Sequence, residues 1–151
     1  MSTVVTSIEV NVPVRAAYNQ WTQFEEFPQF MTGVKEVRQL DDRHLHWKAE
    51  IGGQEKEWDA EIVEQMPDQR IAWRSTDGAP NGGIVTFEPI SDKKSRVQVN
   101  IAYEPEGIME TVGDETGAVT LRVKKDLEQF KEFIEARGRE TGGWRGQVRQ
   151  G

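Results

Sequence analysis

The chain has 151 residues, enough for one domain that buries most of its unfolded surface and keeps a cavity as well. Its 19 basic against 26 acidic residues give a formal net charge of −7, which repels nucleic-acid backbones and anionic lipid surfaces, so neither is expected as a partner. The sequence has no cysteine, which excludes disulfides, thiolate metal sites and a cysteine nucleophile.

Met1-Ser2-Thr3 opens directly into a strand pattern, and no apolar run approaches the roughly 20 residues of a membrane span. The expectation is a cytoplasmic protein without integral membrane contact. Ile8, Val10 and Val12 alternate with Ser7, Glu9 and Asn11, predicting a first strand that Pro13 ends. Pro13 at a first helical position predicts a short helix through Trp21, and Phe24 to Met31 a second, interrupted at Pro28. Gly33 then releases the chain into a strand from Val34 to Leu40.

Turn chemistry sets the register of the next strands. Gly52-Gly53 is a two-residue hairpin signal that places Trp47 opposite Trp58, and Pro67-Asp68 places Ile62 opposite Trp73 and Ala60 opposite Ser75. Strand period then puts Leu45, Trp47, Ala49, Trp58, Ala60, Ile62, Ile71, Trp73 and Ser75 on one face. On the other face Lys48 meets Glu57, His46 meets Asp59 and Glu61 meets Arg74, with only Glu50 opposite Glu55 unfavourable. A slip of one residue would expose the tryptophans and bury these charges.

Thr76 to Gly83 reads as a turn-rich loop, followed by a strand from Ile84 to Ile90. A three-residue turn at Asp92-Lys93-Lys94 sets Val85 opposite Ile101 and Phe87 opposite Val99; a two-residue turn would bring Glu88 inward, so the first is preferred. The last strand runs from Arg96 to Glu104. From Ile108 to Arg137 the period becomes helical, with Ile108, Val112, Val119, Val123, Leu127, Phe130 and Ile134 on one face. Gly113 and Gly117 should make its first half the looser one, and the expected ligand entrance lies between that half and Phe27 to Met31. The Gly- and Arg-rich tail, 139–151, lacks periodicity and is expected to be disordered, which leaves residues 1–138 as the domain.

One strand, two short helices, six strands and a long amphipathic helix is the order of the helix-grip fold, an α+β fold in which a seven-stranded curved antiparallel sheet wraps a C-terminal helix. Phe24-Glu25-Glu26-Phe27-Pro28-Gln29-Phe30-Met31, Val34-Lys35-Glu36-Val37, the Trp47 hairpin, Ala72-Trp73-Arg74-Ser75 and Gly83-Ile84-Val85-Thr86-Phe87-Glu88-Pro89 resemble the polyketide cyclase/dehydrase and coenzyme-Q-binding branch of the START-like (SRPBCC) superfamily. The resemblance spans residues 3 to 138. It implies a cavity between sheet and helix that takes a hydrophobic small molecule such as a lipid, a quinone or an aromatic polyketide; no cofactor is expected.

The ligand-binding residues expected on this basis are Trp47, Trp58 and Trp73 as an aromatic wall, Phe27, Phe30 and Met31 at the mouth, Phe87, Met109 and Val112 as further apolar lining, and Ser75 and Tyr103 as inward polar groups. Family cyclases use an arginine inside the cavity, for which Arg74 is the tempting counterpart, yet the register directs Arg74 outward. His44 and His46 share the charged outer face without a third nitrogen or any sulfur ligand, so no metal site is expected. No His, Asp or Lys on the expected inner face activates Ser75 or Tyr103, and no catalytic residue is assigned. Three readings stand: a binding protein for an apolar or aromatic molecule, a cyclase or dehydratase that works by holding its substrate, and an interaction module with a vestigial cavity. An inward Arg, His or acidic residue favours the second, and a filled core the third.

Overall fold

The computed structural model describes residues 2–31, 33–51, 54–78, 80–103 and 118–148. Strand β1 (Ser2–Val10) is followed by helix α1 (Val14–Trp21), a 3-10 helix (Phe24–Gln29), and strands β2 (Val34–Gln39), β3 (His44–Ile51), β4 (Gln54–Met66), β5 (Arg70–Gly78), β6 (Asn81–Ser91) and β7 (Lys94–Tyr103). Helix α2 (Ala118–Arg137) comes last. The seven strands form one antiparallel sheet in the order β1-β7-β6-β5-β4-β3-β2, curled around α2 as a helix-grip fold.

Pro13 stands one residue before its expected place, as the N-cap of α1, where its carbonyl accepts from Ala16 and Ala17 N–H at 3.0 and 3.2 Å. Pro28 has no N–H to give, and the segment around it forms a 3-10 helix. Its role is to deliver phenylalanines: Phe27 packs edge-on to Trp21 at 5.5 Å, and Phe30 meets Phe130 of α2 at 5.3 Å. Leu127, Phe130 and Ile134 bury the predicted stripe of α2. The part of the expected long helix before Ala118, with Gly113, Gly117 and the entrance assigned to it, lies outside the described residues.

The tryptophan strands pair in the expected register. Trp47 faces Trp58, His46 faces Asp59 and Lys48 faces Glu57; Ile62 faces Trp73 and Glu61 faces Arg74. The like-charged pair Glu50 and Glu55 is bridged by Lys35 of β2, whose Nζ lies 3.1 and 3.2 Å from the two carboxylates. Around Pro67 the turn is one residue longer than expected, with Met66 paired to Arg70 and Asp68 in the left-handed region at φ 62°. A bulge between Ile62 and Glu64 cancels the offset. It turns Gln65 inward opposite Ile71 and leaves Glu64 outside, 2.7 Å from Arg70.

The expected pairing of β6 with β7 is displaced by two residues. Val85 faces Val99 and Phe87 faces Val97, because a two-residue turn at Asp92-Lys93 is combined with a bulge between Pro89 and Ser91. The bulge keeps Glu88 outside against Arg96, at 2.9 Å, while the four apolar residues still share the buried face. The expected loop 76–83 is shorter than predicted, since β5 continues to Gly78 and β6 starts at Asn81.

The tail through Val148 lies against α1 and β4. Its polar groups meet a row of buried polar side chains: Glu140 accepts from Asn19 at 2.9 Å, Thr141 N–H donates to Gln20 at 2.8 Å and Trp144 N–H to Thr22 Oγ1 at 3.0 Å. Val148 exchanges two backbone hydrogen bonds with Gln65 at 2.7 and 3.0 Å. The segment has no period because it is held by individual polar contacts and not by an apolar face.

Candidate functional site

Strands β3, β4 and β5 turn their inner faces toward α2, and a cavity of about 190 Å³ lies between them. Trp47 and Trp58 come from directly opposed positions, and their rings stack with centroids 5.7 Å apart and planes 9° apart. Trp73 enters from β5 across Gly83 of β6, where a Cβ would lie 2.9 Å from the indole and 2.4 Å from Asn100 O. Glycine there lets the ring lie on the strand. Leu45, Ile62, Ile71, Val85, Val99 and Ile101 supply the apolar sheet surface, Val123 and Leu127 face it from α2, and Trp21, Phe24, Phe27 and Met31 close one side. A void too apolar to hold water well yet bordered by large aromatic faces suits a hydrophobic ligand.

Of the expected ligand-binding residues, the structure brings Phe27, Met31, Trp47, Trp58, Trp73 and Tyr103 to the cavity. It places three elsewhere. Phe30 is turned to Phe130 and Phe133, Phe87 packs edge-on to Tyr18 at 5.2 Å, and Ser75 Oγ accepts from Asn81 N–H at 3.0 Å. Met109 and Val112 lie outside the described residues.

Besides apolar lining such as Trp21, Phe24 and Val34, the cavity wall includes Gly33, Asn81, Arg122 and Asp126, none of them assigned to it from the sequence. Asn81 Oδ1 accepts the Trp73 indole N–H at 3.1 Å. Arg122 and Asp126 sit four apart on α2, one turn, and flank the apolar stripe through Val123 and Leu127; that spacing was the available signal. Arg122 lies against Gly33, where a Cβ would come within 3.3 Å of Nε and 3.2 Å of Glu50 O. Among the described residues Arg122 makes no hydrogen bond or ion pair. The Nε1 atoms of Trp47 and Trp58 are likewise buried with no hydrogen-bond partner among the described residues.

Arg74 is outside, 3.0 Å from Glu61, as the register predicts. His46 is also on the outer face, with Nδ1 2.6 Å from Asp59 and Nε2 3.0 Å from Glu57; hydrogen bonding to Asp59, then to Glu57, raises its pKa. No group of three His, Asp or Glu among the described residues is arranged to hold a metal ion, and no described helix is long and apolar enough to cross a membrane.

Residues 10–132 match the family described as polyketide cyclase / dehydrase and lipid transport. The chain is 52% identical over 149 residues to an uncharacterized 17.2 kDa protein encoded in the melC2-rnhH intergenic region of Streptomyces lincolnensis, covering 98% of this chain and 99% of that one. Among solved structures, DR_A0006 from Deinococcus radiodurans is 27% identical with a TM-score of 0.70, over 91% of this chain and 99% of that one. The Zhui aromatase/cyclase from Streptomyces sp. R1128 is similar in fold, with a TM-score of 0.72 at 14% identity over 95% and 99% of the two chains. A START superfamily protein from Mycobacterium smegmatis has a TM-score of 0.70 at 18% identity, over 89% of this chain and 95% of that one.

Proposed function

The chain belongs to the polyketide cyclase / dehydrase and lipid transport family, and from that premise we propose that it binds one apolar or aromatic small molecule, lipid-, quinone- or polyketide-like, between the sheet and α2. The observation that carries this reading is the cavity itself, about 190 Å³ with Trp47, Trp58 and Trp73 on its wall. Three indoles packed into a solid core would leave no such space, because interiors close to crystal density. The size favours a body of one or two rings, or one short chain. A filled core, which would favour the interaction-module reading, is not what the lining residues enclose, and Trp144 and Arg145 of the tail make contacts within the chain.

Native mass spectrometry of the protein purified from its own host tests the proposal, the expected result being a retained small molecule of discrete mass. Fluorescence titration with a library of hydrophobic compounds is the second arm, and saturable quenching of tryptophan emission is expected. If no mass is retained and nothing in the library quenches, ligand binding is to be abandoned.

A second reading, a cyclase or dehydratase working mainly by substrate positioning, is favoured by one observation. Arg122 and Asp126 present a cation and a carboxylate to an otherwise apolar cavity, and such a pair can orient and polarise a bound carbonyl compound. Incubation with a linear poly-β-ketone thioester should then yield a cyclised product lighter by water, and Asp126→Asn should slow its formation without abolishing binding.

A further inference from the structure

Three residues that line the cavity carry a hydrogen-bond donor without an acceptor among the described residues. Trp47 Nε1 and Trp58 Nε1 are buried and have no partner among the described residues. The half-buried Arg122 guanidinium makes no ion pair there either. The three belong together in space. Arg122 lies against Gly33, and Gly33 O accepts the Glu50 N–H at 2.7 Å at the end of β3, whose inner face carries Trp47 and Ala49. Trp58 is stacked on Trp47 from β4.

The remaining polar lining differs. The Trp73 N–H is already taken by Asn81. Asp126, one turn from Arg122 on α2, has an interaction of its own, and its Oδ1, buried without a hydrogen bond among the described residues, is an acceptor and not a donor. Buried indole N–H groups normally find a partner, and a guanidinium beside an apolar void is costly unless something answers it. A stacked pair of such donors next to an unanswered cation marks one specific place for an acceptor.

We infer that the ligand carries an acceptor oxygen, a carbonyl or a carboxylate, which lies at the β3–β4 side of the cavity and takes hydrogen bonds from Arg122 and the Trp47–Trp58 pair. This rests on the ligand-binding reading above and adds the chemistry of the ligand to it. The two Nε1 atoms are themselves covered, so the stacked rings must turn when the acceptor enters. A hydrocarbon of the same shape fills the same space and leaves all three donors unanswered. The site therefore selects an oxygenated apolar molecule over a plain one, because a site built to hydrogen-bond rejects an analogue that lacks the group.

The test uses the full-length chain labelled with nitrogen-15 and three probes of one shape: ethylnaphthalene, methyl naphthyl ketone and naphthoate. The indole N–H signals are assigned by single Trp→Phe variants. At least one oxygenated probe should bind about tenfold or more tighter than ethylnaphthalene and move the Trp47 and Trp58 indole protons downfield, with Trp73 little changed. Preference for the ketone identifies a carbonyl ligand. Preference for naphthoate, lost about tenfold in Arg122→Met, identifies a carboxylate. Equal binding of all three probes with unmoved indole signals overturns this inference while ligand binding itself stands. If none of the three binds, this inference falls, while ligand binding is decided by the retained mass and the library titration above. The comparison on the wild-type chain decides the matter even if Arg122→Met does not fold.

Discussion

The guanidinium of Arg145 closes on Asp68 at 2.7 Å, linking the C-terminal segment to the turn between β4 and β5. The same group donates to Asn19 Oδ1 at 2.8 Å and lies over the Tyr18 ring at 5.7 Å, so one side chain joins the tail, α1 and the sheet. The pair is about one-third exposed, at 30% and 33%, and by itself contributes at most about 1 kcal/mol. Its importance lies in what it holds in place, the segment that satisfies Asn19, Gln20 and Thr22.

Truncation after Gly138 is therefore expected to destabilise the protein by roughly 3–7 kcal/mol, at about 0.5–1 kcal/mol for each of the seven hydrogen bonds that the segment makes to Asn19, Gln20, Thr22 and Gln65. At about 2–4 °C per kcal/mol for a chain of this size, Tm should fall by several degrees or more. Arg145→Ala alone should cost no more than about a third of that. A truncated chain that melts with the full one would show that the docked tail contributes nothing.

Trp58→Ala separates wall from core. Removing the ring takes contact area from a bound molecule, and affinity for a quenching ligand should drop by about ten- to a hundredfold, or about 1–3 kcal/mol. Because Trp58 borders a cavity and is only half-buried, its loss should cost less stability than the roughly 3–5 kcal/mol typical of a ring in a filled core. Paired binding titrations and urea melts measure both; a large stability loss with unchanged affinity would assign Trp58 to the core alone.

Gly83→Ala should be destabilising by about 1–3 kcal/mol, since the new Cβ would stand 2.4 Å from Asn100 O and 2.9 Å from the Trp73 indole. The contact with Asn100 O is relieved only by a shift of the β6–β7 backbone and the other by moving Trp73, so ligand binding should weaken as well. Urea denaturation of the variant checks the first statement and near-UV circular dichroism of the tryptophans the second. Wild-type stability would mean that β6 shifts freely at this point.

His46 links stability to pH. Its folded pKa is raised by Asp59, then Glu57, so protonation is favoured in the folded state. The stabilisation is full below the unfolded value near pH 6.5 and is lost as pH rises through the higher folded value. The Tm difference between wild type and His46→Gln should be largest near pH 6 and shrink toward pH 8, at low salt. A difference that stays constant over that range would remove the His46 contribution.

Much of the sheet was legible in the sequence because the physics that sets it is local. Gly52-Gly53 fixed the pairing of Trp47 with Trp58, and strand period sent Arg74 and His46 to the outer face, where both are found. The same local rules failed where two departures compensate. At Pro67 and at Asp92 the turn length differs by one residue from the expectation and a bulge restores the facing, so the inner and outer sets survive although the pairing of β6 with β7 does not. Bulges answer to the whole sheet's need to curve and to keep Glu64 and Glu88 in water, which no short window of sequence contains.

The candidate site divides in the same way. Its aromatic wall follows from alternation along strands and is determined by the sequence alone. Its polar members, Asn81, Arg122 and Asp126, and the exclusion of Phe30, Phe87 and Ser75, depend on where α1, the 3-10 helix and α2 settle on the sheet. Residues far apart in the chain meet there, as Asn19 meets Glu140 across 121 positions. Side-chain facing along one element is a matter of period, which sequence records; which element covers that face, and how completely it fills the space, is decided only when the whole chain packs.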